Sequence, residues 1–285
     1  MAERRRVVDS HVHFWDPAVL HYPWLDEVPA LHRAFLPRDL DSLSAGTVDG
    51  VVFVEANASA GESEREVDWV ELLKADQRRI IGIVAHVDML GEQERCERLA
   101  ALSKRRLVVG VRHNIQGQPA GYCLQPSFVH GVQSIADHGL TFDVCVTEDL
   151  LPDAIRLVQL CPDVRFVLDH CGKPAIRANA MADWMSNIAE LAACSNVVCK
   201  LSGLLTEASD GQRTLDALRP YLDHVHAAFG VERLLYGSDW PVLTLAGGTG
   251  SWRAIVDEFT AAWADEERDA FYAGNAMRTY GLKIS

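Results

Sequence analysis

None of the seven cysteines stands in a C-x-x-C pair, so the spacing of a zinc ribbon or redox dithiol is missing. Several sit inside apolar runs such as FDVCV and VVCKL, which reads as buried free thiols of a cytoplasmic protein rather than a disulfide framework. Basic charge is scarce: 27 Lys and Arg face 40 Asp and Glu, a net charge of −13. Phosphate backbones need a basic face, so a nucleic-acid partner is excluded. No apolar run reaches the about 18 residues that a membrane span needs, which excludes a membrane partner. Arg4, Arg5 and Arg6 have the charge of a secretion signal, but VVDSHVH follows where an apolar core is required. Internal repeats, low-complexity tracts and linkers are also missing, which leaves a single domain over residues 1–285.

What the chain does have is alternation. Eight short β-branched runs recur: RVVDSHV, DGVVFVEA, RIIGIVAHV, RLVVGVRHN, LTFDVCV, VRFVLDH, NVVCKLS and RLLYGSD. Between them lie helical patterns such as SEREVDWVELLKAD, EDLLPDAIRLVQLC and MADWMSNIAELAAC. Near-continuous apolar strands alternating with amphipathic helices predict a parallel sheet covered by helices. Eight units in this length predict an α/β fold of the (β/α)8 TIM-barrel type, with a doubly wound open sheet as its competitor. The segment HFWDPAVLHYPWLDEVPALHRAF, rich in proline and aromatics, reads as a loop over the barrel mouth. The last helix should break at Gly274 or Asn275. AGGTG at Ala246 to Gly250 lacks the Lys-Ser/Thr of a phosphate loop and reads as a mobile loop.

Polar residues gather where these strands end. Asp9, His11 and His13 alternate along VVDSHVHFWDP, and residues two apart on a strand share a face. Burying three ionisable side chains without partners costs several kcal/mol or a large pKa shift each, so that face should be in use. The other runs end in Glu55, His86, Arg112 with His113, Asp143 or Thr147, Asp169 with His170, Lys200 with Ser202, and Ser238 with Asp239. Barrel active sites are built at this end, from several strands at once. Asp169 has the opposite strand parity to His170 and should face the helices. His224 and His226 repeat the His-x-His spacing inside a helical run, where they point roughly 200° apart and cannot share a ligand.

Five ordered stretches carry a family: DSHVHFWDP, GVRHNIQ, VLDHCGKP, CKLSGL and FGVERLLYGSDWPV. Together they resemble the amidohydrolase-2 branch of the amidohydrolase superfamily. Within that branch they resemble the sugar-lactone hydrolases (fuconolactonases, rhamnonolactonases) and the pyrone-dicarboxylate lactonases. The resemblance spans nearly the whole chain. It implies a distorted (β/α)8 barrel, a site of His11, His13, His170 and Asp239, and hydrolysis of a small-molecule lactone. The superfamily's two-metal pattern needs a carboxylated lysine or glutamate at strand 4 and a histidine at strand 5. This chain has Arg112 and His113 at strand 4 and Asp143 and Thr147 at strand 5, and an arginine repels a cation. A single zinc on His11, His13, His170 and Asp239 has enough ligands. The resemblance nevertheless implies that no cofactor is required.

Lactone hydrolysis needs a base for water, donors for the oxyanion and an acid for the leaving alkoxide. Asp239 is the one carboxylate in the histidine cluster and is the candidate base, then acid. His11, His13 and His170 are candidate donors and complete the catalytic set. Arg112, Lys200, Glu55 and His86 are candidate substrate-binding residues, with Trp15, Trp240 and Tyr22 as walls for a sugar ring. Two alternatives stay open: a mononuclear zinc amidohydrolase or decarboxylase on the same barrel, and a non-catalytic barrel that binds a metabolite. A homo-oligomer also stays open.

Overall fold

The computed structural model describes residues 4–44, 48–76 and 79–283. Its eight strands are β1 (Val8–Val12), β2 (Gly50–Val54), β3 (Ile80–His86), β4 (Val108–Arg112), β5 (Thr141–Val144), β6 (Arg165–Leu168), β7 (Val197–Leu201) and β8 (Leu234–Tyr236). They lie side by side in chain order, and each neighbouring pair is parallel. A doubly wound sheet would reverse its order partway, so the open-sheet alternative falls. The circle closes where the chemistry was expected. The His13 amide donates to the Trp240 carbonyl at 2.7 Å, and the Asp239 amide to the His11 carbonyl at 2.9 Å.

Helices follow the strands because parallel strands require crossovers. They are α1 (Pro37–Ser44), α2 (Ser63–Asp76), α3 (Glu92–Leu102), α4 (Pro126–Gln133), α5 (Leu151–Leu160), α6 (Ala182–Ala192), α7 (Leu204–Glu207), α8 (Leu215–Phe229), α9 (Thr249–Phe259), α10 (Asp265–Asp269) and α11 (Asn275–Tyr280). Among the described residues no helix is long and apolar enough to cross a membrane. Inside the barrel, Val8, Val52, Val84, Val167 and Leu235 from five strands meet Ala273, Ala276, Tyr280 and Leu282. The C-terminal segment thus packs against the barrel's apolar interior.

One expectation changes, and two loops take a defined form. The last helix does not break at Gly274 or Asn275. Residues Ala270–Gly274 form a π-helical turn leading straight into α11, and Gly274 is helical at φ −57°. The buried Asn275 amide donates to the carbonyls of Val231 and Leu234, both at 2.7 Å, which locks that turn to the start of β8. The AGGTG stretch is a tight turn, with Gly247 and Gly248 at φ 100° and 85°, between a 3-10 turn and α9. The segment after β1 is the expected loop over the barrel mouth, with two short 3-10 turns, and it is well packed. Trp15 and Phe35 pair their backbones at 3.1 and 2.8 Å, and the Trp15 ring meets those of Trp24 and Phe35 at 5.1 and 5.3 Å. Of the cysteines, Cys96 is exposed, Cys194 is half-buried and the others are buried, all free.

Candidate active site

A cavity of about 280 Å³ opens at the C-terminal ends of the strands. His13, His170 and Asp239 line it together with Arg112, Cys145 and Lys173. Trp15, Trp24 and Val242 give it apolar walls, and Asn57, Asn114 and Gln116 give it neutral polar ones. Backbone strain concentrates here. Six described non-glycine residues have left-handed φ, and four of them (Asn57, His170, Lys173, Asp239) line this cavity. Such conformations cost of order 1 kcal/mol or more each and persist where the surroundings hold them.

Asp239 sits just past β8 at φ 62°. Its Oδ1 lies 3.5 Å from His13 Nε2, 3.8 Å from His11 Nε2 and 3.9 Å from His170 Nε2. Those contacts are longer than good hydrogen bonds. Burial alone would raise the Asp239 pKa, but His170 and His13 more than offset it and hold the carboxyl below its ordinary range. His170 Nδ1 meets Ser202 Oγ at 2.9 Å, and burial pushes the His170 pKa well down.

The histidine pair on β1 has a defined protonation logic. His13 Nδ1 is 2.8 Å from the Val54 carbonyl, which only accepts, so Nδ1 carries a proton and Nε2 is the nitrogen turned toward the other groups. That nitrogen is 3.1 Å from His11 Nε2. His11 Nδ1 touches both Asp169 Oδ1 at 3.1 Å and Lys200 Nζ at 3.2 Å, and burial holds its pKa well below 6.5. If Nδ1–H donates to Asp169, the His11 Nε2 is a bare acceptor facing His13 Nε2. If Nδ1 accepts from Lys200, the His11 Nε2–H donates to His13 instead.

Against the cavity, and reaching it at Arg112, lies a buried ionic layer. Lys200 Nζ is 2.6 Å from Asp143 Oδ2 and 3.0 Å from Asp169 Oδ1. Arg112 donates to Glu55 Oε1 at 2.7 Å, to the Glu55 carbonyl at 2.7 Å and to Asp169 Oδ2 at 3.2 Å. Tyr280 of α11 donates to Asp143 at 2.8 Å, tying the C-terminal helix to this layer. Burial would raise the Asp169 pKa, but Lys200 and His11 outweigh it and hold it well below 3.8.

Several sequence expectations therefore move. Asp169 does not face the helices. It shares parity with the inward-facing Val167, and its carboxylate joins β1, β4 and β7. His170 reaches the cavity because it leaves the strand, at φ 54°. Asp9 does not join the histidines: a register shift in β1 between Asp9 and Val12 breaks the alternation. Its carboxylate instead accepts from the amides of Ser238 at 2.8 Å and His11 at 3.2 Å. His11 and Lys200 are fully buried and do not line the cavity. Glu55 is also fully buried, its oxygens taken by Arg112 and the Asn57 amide. Trp240 and Tyr22 are buried away from the cavity, Trp240 against Phe14 and Phe35. His86 lies with His113 and Tyr122 along a separate hollow. His113 Nδ1 accepts the Met89 amide at 3.1 Å, so its Nε2–H donates to Tyr122 at 3.0 Å. Trp15 and Arg112 do line the cavity.

Sequence reasoning missed Trp24, Asn57, Asn114, Gln116, Cys145 and Lys173. Asn114, Gln116 and Lys173 lie inside the quoted stretches GVRHNIQ and VLDHCGKP, two to five residues past the strands, where no parity argument reaches.

Ligand atoms of His11, His170 and Asp239 lie within 4.8 Å of one another, a three-residue set of the type that holds zinc. Cys145, Asp169 and His170 form a second such group, but both Asp169 oxygens are already engaged.

An acid among histidines at the C-terminal rim of a parallel barrel is the layout of a (β/α)8 hydrolase. The chain belongs to the amidohydrolase family: the family model described as Amidohydrolase matches residues 8–282. It is 34% identical to an L-fucono-1,5-lactonase of Burkholderia multivorans, over 96% of each chain. It is 31% identical to an L-fucono-1,5-lactonase of Burkholderia ambifaria, over 96% of this chain and 95% of that one. A crystal structure of an amidohydrolase from Burkholderia multivorans with bound zinc superposes with a TM-score of 0.86 at 33% identity, covering 98% of this chain and all of the other.

Proposed function

We propose that this chain hydrolyses the ring ester of a sugar or sugar-acid lactone, with Asp239 as base and no essential metal. The carrying observation is Asp239: an ionised carboxylate on the cavity floor, ringed by three imidazoles at 3.5–3.9 Å and short of a close partner. The two fuconolactonase relatives support the substrate class.

The residues divide the work. Asp239 accepts a proton from water as the oxygen attacks the lactone carbonyl carbon. The ring C–O bond then breaks, and Asp239 returns the proton to the departing alkoxide. His13 and His170 orient the water. Trp15 and Trp24 offer flat apolar faces to a sugar ring, and Asn57, Asn114 and Gln116 offer donors and acceptors to its hydroxyls. Lys173, whose one bond is to a neutral amide, raises the cost of holding a dication here, which favours the metal-free reading. A bound zinc would be held by His11, His13, His170 and Asp239 and would polarise the carbonyl. That second reading is favoured by the ligand grouping itself.

A panel of aldonolactones and aromatic lactones at pH near 8, with and without chelator, tests the proposal. Ring opening of a sugar lactone that survives chelation is expected. Loss with chelator and rescue by zinc establishes the second reading. Because Asp239 is held below the usual carboxylate range, the acid limb of the rate profile should lie below about pH 4, wherever the fold survives.

A further inference from the structure

Three cations stand at this end of the barrel, and they are not equivalent. Lys200 is neutralised by Asp143 and Asp169, and Arg112 by Glu55 and Asp169. Lys173 has no such partner: among the described residues no carboxylate comes within 4.0 Å of its Nζ. Its bond is to a neutral amide, Gln116 Oε1, at 2.6 Å. An ammonium has three donors, so two remain for a ligand.

The backbone is built to present this lysine. After β6, His170, Cys171, Gly172 and Lys173 run at φ 54°, 53°, 68° and 44°, four successive residues in the left-handed region. The Cys171 carbonyl accepts from Trp184 Nε1 at 2.8 Å, which pins the turn. Gly172 has φ 68°, and a Cβ there would come 2.7 Å from Leu151 Cδ2, so a larger residue would be strained and would have to displace that side chain. The result puts His170 and Lys173 on the wall of one cavity with Asp239. Burial lowers the ammonium's pKa, but Cys145 and Asp239 more than restore it, and the group stays charged.

We propose that Lys173 is the electrophile of the ring opening: its Nζ–H donates to the lactone carbonyl oxygen and carries the charge of the tetrahedral oxyanion. This rests on the lactonase reading. As the water oxygen bonds to the acyl carbon, the carbonyl π pair moves onto oxygen and meets the ammonium. As the ring C–O bond breaks, that pair returns and the alkoxide takes its proton from Asp239. Lys173 keeps its own proton throughout. A cation without a ground-state carboxylate partner gains most when the oxyanion forms, which is what lowers a barrier.

The test compares wild type with Lys173→Met and Lys173→Arg on a sugar lactone. The Met variant should lose about 10²–10³-fold in kcat with KM nearly unchanged, and Arg should recover part. A kcat within about threefold of wild type, or a loss confined to KM, overturns the proposal. If the Met variant does not fold, Lys173→Asn replaces it, since asparagine tolerates left-handed φ. Calorimetric titration with an aldonate salt is independent of turnover: wild type should bind this carboxylate at least about tenfold more tightly than the variant. Equal affinities, or no binding to wild type, also overturn it. Absence of sugar-lactone turnover in a wild type that passes the aldonate test would instead strike the lactonase reading.

Discussion

The cavity floor and the layer beneath it are made of the same residue types, and they are opposites in pairing. Below, Lys200, Arg112, Asp143, Asp169 and Glu55 bind one another at 2.6–3.2 Å, all of them buried. Above, Asp239 stands 3.5–3.9 Å from its imidazoles, and Lys173 is held by a neutral amide. A buried charge that is fully paired is framework, because removing a partner strands its neighbours. One left underpaired at a cavity is available for a reacting atom. Residue type alone does not separate the two layers; pairing does.

The largest test of this contrast is Asp239→Asn. An amide cannot accept the proton of water, so kcat should fall about 10²–10⁴-fold with the melting temperature nearly unchanged. A cooperative drop in stability with kcat intact would move Asp239 into the framework. Asp169→Asn should show the converse. It takes a charge from between Lys200, Arg112 and His11, and stability should fall by about 3–5 kcal/mol in denaturant melts. An unchanged midpoint would break the distinction between the layers.

A weaker effect comes from His113, outside both layers. Burial first, then the nearby His86, depresses its pKa from 6.5 to about 4. A group with a lowered folded pKa contributes stability that is full above its unfolded value and is lost as pH falls through the folded one. Wild type should therefore lose about 3 kcal/mol from this ring between pH 6.5 and 4, and His113→Gln should flatten that part of the profile. Parallel profiles would refute it. Asp9, pushed up to about 6 by burial, acts in the opposite sense: its contribution is full below 3.8 and is lost as pH rises through about 6. Smallest of all are His224→Gln and His226→Gln on α8. One ring reaches the Met185 carbonyl at 2.8 Å and the other stacks on Trp263 at 4.6 Å. Activity should hold, with stability changed by no more than about 1 kcal/mol.

These placements mark what the sequence could convey. The barrel was legible because eight apolar runs alternate with amphipathic stretches, and a parallel sheet buried on both faces needs that pattern. His13, His170 and Asp239 were legible as chemistry-bearing residues at strand ends. Depth was not. Strand parity placed Asp169 on the wrong side and grouped Asp9 with the histidines, because a register shift in β1 and left-handed residues after β6 override alternation. Arg112 and Lys200 were readable as cations at strand ends. That carboxylates at the ends of three other strands neutralise them depends on contacts 31–57 residues apart, which no local pattern encodes.

The central claim is that residues of this chain, with Asp239 as base, open a lactone ring without a resident metal. The most direct measurement is kcat for a sugar lactone on wild-type protein stripped of metal by exhaustive chelation, with metal content determined on the same sample. The account predicts that most of the rate remains and that added zinc does not raise it. A rate that collapses on stripping and returns in proportion to bound zinc would contradict it.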